Sequence, residues 1–77
     1  MTQVVLDVRD MPPARRHQAI FEAWAALPVD DVLRLVNDHD PLPLYYQFQA
    51  EQADKFVWTY VDRGPEVWRV DIARTVA

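Results

Sequence analysis

The stretch richest in potential chemistry is Asn37-Asp38-His39-Asp40-Pro41, which sets one imidazole between two carboxylates. A second histidine, His17, follows Arg15 and Arg16, and Arg9 stands between Asp7 and Asp10. Three readings compete for these residues. His17, His39 and one of Asp38 or Asp40 are the donor types of open iron or zinc sites, which makes a divalent metal a candidate cofactor. Arg9, Arg15 and Arg16, together with helix N-termini, would instead hold an anion, although Asp10, Asp38 and Asp40 offset their charge. The third reading is architectural: Asp40 caps a helix, Asp38 holds a turn, His39 is solvated and His17 hydrogen-bonds at the edge of the core. The candidate ligand-binding set is therefore Arg9, Arg16, His17, Asp38, His39 and Asp40, with His17, His39 and Asp38 as its metal subset. Acid–base work by His39 alone also stays open.

Other chemistries lack their residues. The chain has no cysteine, which removes disulfides, thiolate metal sites and cysteine nucleophiles. It has no serine and no threonine beside a histidine, so no activated hydroxyl is indicated. One glycine cannot build a phosphate-cradling loop. A net charge of −4 without a basic run gives a nucleic-acid backbone nothing to hold. Asp7 interrupts the apolar stretch a signal peptide needs, and no later run spans a bilayer, so a cytoplasmic location without membrane contact is expected. Tyr45-Tyr46-Gln47 reads as core and Glu66 as turn chemistry.

The elements that position these residues follow from period. Val4-Val5-Leu6-Asp7-Val8 alternates as a strand, with Val4, Leu6 and Val8 inward. Asp10-Met11-Pro12-Pro13 opens a helix from Ala14 to Leu27, with His17, Ile20, Trp24 and Leu27 as its inner stripe, closed by Pro28. Val32–Val36 is a second strand, with Leu33 and Leu35 inward. Asp40 is the expected N-cap of a second helix with Pro41 at its first position. That helix fades by Ala53, with Leu42, Tyr45, Tyr46 and Gln49 inward. Phe56–Val61 and Val67–Ile72 form a hairpin around Gly64, and a three-residue turn would place Phe56, Trp58 and Tyr60 on the face of Trp68, Val70 and Ile72. The order β-α-β-α-β-β predicts one α+β domain over 1–77, a two-layer sandwich of a four-stranded mixed sheet with two helices on one face. Asp7, Arg34, Thr59, Arg69 and Asp71 would line the open face, with Val57 and Val61 exposed among them. Parallel first and second strands would bring the loops bearing both histidines to one edge.

This order, the opening Leu6-Asp7, the Pro12-Pro13 helix start and Asn37 to Pro41 resemble the TusA/SirA-like sulfur-carrier fold. The chain more closely resembles an uncharacterised bacterial family of that superfamily, domain of unknown function 2249. Leu6 to Arg9, Pro12-Pro13, Arg16-His17, Asn37 to Pro41, Leu44 to Gln47 and Gly64 to Arg69 carry that likeness over nearly the full length. The resemblance implies a redox or metal context, with a hemerythrin-like or metal-cluster assembly protein as partner. Sulfur carriers use a cysteine in Cys-Pro-x-Pro; Met11-Pro12-Pro13-Ala14 stands here, and a thioether cannot carry persulfide. The leading expectation is a small accessory or ligand-binding module. A metal-dependent enzyme or redox component using His17 and His39, and an interaction domain using the open face, are its alternatives.

Overall fold

A computed structural model describes residues 2–76. The elements are β1 (Gln3–Asp7), α1 (Pro13–Ala26), β2 (Val32–Asn37), α2 (Leu42–Glu51), β3 (Phe56–Arg63) and β4 (Trp68–Arg74). The α+β expectation and its β-α-β-α-β-β order hold. The sheet order is β1-β2-β4-β3, with β1 parallel to β2 and β4 antiparallel to both β2 and β3. Two crossovers set this order: α1 returns the chain to lay β2 beside β1, and α2 carries it one strand position further, leaving the gap that β4 fills. No helix among the described residues is long and apolar enough to cross a membrane.

The core follows from alternation on the central strands. Leu33 and Leu35 on β2 and Val70 and Ile72 on β4 are fully buried, and the helices cover them with Ile20, Trp24, Leu44 and Phe48 in one cluster. Phe48 stacks on Phe21 at 4.9 Å and meets Trp24 edge-on at 5.2 Å, so the helices touch through aromatic rings. Proline sets the limits of α1. Pro12 and Pro13 stand at its start, where a missing N–H costs no intrahelical bond. Pro28 forces Leu27 into an extended conformation, which ends the helix.

Four expectations need correction. Val4 has the inward parity but is 42% exposed, because β1 is an edge strand whose start lies beyond helix cover. The stripe of α1 is inward only from Ile20; His17 is exposed and stacks on Phe21 at 5.1 Å, keeping its ring nitrogens near water. On α2 the N-cap position falls one residue later, at Pro41, although the Asp40 carboxylate does accept the Leu42 N–H, and the buried pair is Leu44 and Phe48. Leu42, Tyr46 and Gln49 are exposed and Tyr45 half-buried, since the ring without a polar atom takes the central position. Phe56, Trp58 and Tyr60 share the face of Val70 and Ile72 as expected, but the turn is not of three residues: Trp58 pairs with Ile72 and Tyr60 with Val70 through a longer loop over 64–67 and a bulge between Tyr60 and Asp62. The bulge absorbs one residue, which keeps the aromatic side chains on the core face.

Candidate functional site

Arg16 organises the edge where β1 and β2 end. Its guanidinium donates to the carbonyls of Met11 and Arg9, each at 3.0 Å, so it fastens the β1–α1 loop to its own helix. The same group crosses to the β2–α2 loop, donating to Asn37 Oδ1 at 3.0 Å and to both oxygens of Asp38 at 2.8 and 3.1 Å. Asn37 is buried at 5% exposure, and its Oδ1 also accepts the Asp38 N–H, so the buried amide oxygen is satisfied from two sides.

Asp38 in turn holds His39, whose Nδ1 lies 2.7 Å from Asp38 Oδ1. The imidazole side chain is 65% exposed. The Arg16 guanidinium first, and His39 second, hold the Asp38 carboxyl well below the usual carboxylate range. Arg9 is likewise paired, through Nε and Nη2, with Asp7, which is lowered to about 2.

Asp40 serves a different element. Its Oδ1 accepts the Leu42 N–H at 3.1 Å and the Tyr60 hydroxyl at 2.7 Å, bracing the start of α2 against β3. The remaining N–H groups of that helix start are absent or engaged: Pro43 has none, and those of Leu44 and Tyr45 bond the Pro41 carbonyl. The start of α2 therefore offers an anion no open donor there.

Of the six residues expected at the site, Arg16, Asp38 and His39 form one bonded chain. Arg9 joins it through its backbone carbonyl, Asp40 turns to β3, and His17 stacks on Phe21. Among the described residues no three His, Asp or Glu side chains gather where they could hold a metal ion. The edge thus offers one presented imidazole backed by a carboxylate and a guanidinium. A separate open groove of about 590 Å³ runs along the first turns of α1, past Asp10, Arg15 and Glu22, and contains neither histidine.

Asn37, Tyr60 and Arg63 escaped the sequence reading. Asn37 lay inside the singled-out segment, and a polar residue ending a buried strand was the available signal. Tyr60 and Arg63 come to this edge because the sheet order brings the end of β3 there, with Arg63 paired to Trp68 at the start of β4, and no local pattern shows that. The open face carries the Arg34–Asp71 and Arg69–Asp62 ion pairs, with Val5, Val57 and Val61 exposed beside them.

A family model described as an uncharacterized conserved protein, DUF2249, matches residues 5–74. No curated protein and no solved structure matches the chain.

Proposed function

The chain belongs to the DUF2249 family, and we propose that it is a small binding module that presents one oriented imidazole, His39, to its ligand. The observation that carries this reading is the 2.7 Å contact from His39 Nδ1 to Asp38. An ionised carboxylate only accepts hydrogen bonds, so Nδ1 carries the proton and the lone pair of the neutral ring lies on Nε2. Arg16 keeps Asp38 ionised and in place. A carboxylate behind one ring nitrogen is the device that aims the other at a metal or a proton donor. One imidazole fills one coordination position, so a metal held here brings its other ligands with it. The ligand class is a metal complex with an open position, or a molecule that donates a proton to Nε2.

Copper(II) iminodiacetate, whose chelator leaves positions open, is a direct probe. Added to the protein, it should broaden the ring signals of His39 before those of His17, and His39→Gln should abolish the saturable binding. Equal broadening of both rings would mean that two exposed histidines are being sampled without selection, and the reading would fall.

A further inference from the structure

On the other side of the 38–41 loop, Leu42, Tyr45, Trp58, Tyr60 and Arg63 enclose an open pocket of about 260 Å³. We infer that this pocket binds a small planar aromatic carboxylate, with the ring against Tyr45, Trp58 and Leu42 and the carboxylate on Arg63. The inference uses none of the residues that present His39.

The walls come first. Tyr45 meets Trp58 edge-on at 5.3 Å and Trp58 meets Tyr60 edge-on at 6.2 Å, with interplanar angles of 69° and 77°. Rings set at such angles form a corner rather than a closed stack, and a flat guest can add the next edge or face contact. The corner is braced, because the Tyr60 hydroxyl is fixed on Asp40 and Asp40 on the Leu42 N–H. A pocket already held open loses little on binding.

Charge selects the class of guest. Arg9, Arg16, Arg34 and Arg69 each pair with an aspartate. Arg63 is exposed and lies 4.4 Å over the Tyr60 ring, with no carboxylate partner among the described residues. Arg15, Arg74 and Lys55 also form no ion pair among the described residues. Arg74 is engaged by the ring and carbonyl of Trp24, however, and Arg15 borders the groove on α1, so Arg63 is the cation that lines this aromatic pocket. The carboxylate nearest that wall, Asp40, already accepts two hydrogen bonds. A cationic guest would find the Tyr60 face covered by Arg63 and would be repelled by it. An anionic guest meets a planar fork of donors matched to a carboxylate. The helix start has no open donor to compete for it, and the pocket volume suits a single ring.

Benzoate titrated into the full chain tests this, read by aromatic NMR signals of Tyr45, Trp58 and Tyr60. A saturable shift confined to these rings is expected. Benzamide, which keeps the ring without the charge, and acetate, which keeps the charge without the ring, should each bind about tenfold or more weakly. Arg63→Gln, a surface change, should cost a similar factor, and His39→Gln should cost nothing. Acetate binding as well as benzoate would reduce the site to a loose cation. Benzamide binding as well, or Arg63→Gln without effect, would remove the carboxylate assignment. The absence of any saturable shift would remove the site.

Discussion

Arg16 and Asp38 stand twenty-two positions apart in the chain and meet through two parallel hydrogen bonds, at 2.8 and 3.1 Å. The pair joins the first helix to the loop after the central strand, and Arg16 also holds the loop before its own helix. Replacing it with alanine therefore frees two loops at once and leaves Asn37 Oδ1 with a single donor. Arg16→Ala should lower the thermal midpoint more than Arg9→Ala, since Arg9 pairs with a carboxylate only two residues away. Equal midpoints for the two variants would mean that the crossing bonds contribute nothing.

The tautomer of His39 is the sharpest consequence of its bond to Asp38. Free neutral imidazole side chains favour the proton on Nε2, whereas this geometry places it on Nδ1. Ring nitrogen shifts should report Nδ1–H in the wild type. In Asp38→Asn the side chain can donate as well as accept, and the proton should return largely to Nε2. An unchanged pattern would show that the contact does not orient the ring.

Acid should undo this edge in a predictable order. Asp7 and Asp38 both have lowered carboxyl values in the folded state, each from its arginine first. The unfolded chain therefore binds protons before the folded one does. Their contribution to stability is complete above the ordinary aspartate value near 3.8 and declines as the pH falls towards about 2 for Asp7. Asp38→Asn and Asp7→Asn should each flatten the loss of thermal midpoint between pH 5 and 2. A full acid limb in the double variant would assign it to other carboxylates.

What was legible beforehand follows from where the physics is local. Leu33 and Leu35 alternate on a strand paired on both sides, and Trp58 opposite Ile72 follows from two period-2 runs around one glycine. The face of α2 was not legible, because Pro41 before it, Pro43 in its first turn and two adjacent tyrosines blur its period. Leu44 and Phe48 are selected by the fit of Phe48 against Phe21 and Trp24, which is a tertiary event. The same limit applied at the edge. Arg16, Asp38 and His39 were named because their types and the topology brought them together. The Asp40–Tyr60 bond joins residues twenty positions apart, the second on a strand that pairs with β4 rather than β2, and no residue near Asp40 announces it.

Trp24 tests the aromatic seam between the helices. It is 2% exposed and meets Phe48 edge-on, while the Arg74 guanidinium lies 5.2 Å over its ring and donates to its carbonyl at 2.8 Å. Trp24→Ala should cost roughly 3–5 kcal/mol, enough to threaten folding in a domain this small. Trp24→Phe keeps part of the volume and should remain folded with a smaller loss by urea denaturation. Near wild-type stability in both variants would contradict the packing of α1.

Gly64 makes a demand that no other residue type meets. Its φ is +78°, and a Cβ built there would lie 2.6 Å from Cε2 of Trp68. The first condition disfavours any L side chain, and the second requires the indole to move. The indole is itself held, donating to the Pro65 carbonyl at 3.3 Å and meeting Tyr60 edge-on at 6.3 Å. Gly64→Ala should therefore destabilise the domain by roughly 1–3 kcal/mol, although alanine elsewhere usually restricts the unfolded chain and stabilises it. It should also shift the ring signals of Trp68 and Tyr60, and through Tyr60 weaken benzoate binding without altering His39. Urea denaturation alongside aromatic NMR separates the two effects. A stabilised variant with unmoved rings would mean that the loop relaxes freely and that Trp68 does not depend on the glycine beneath it.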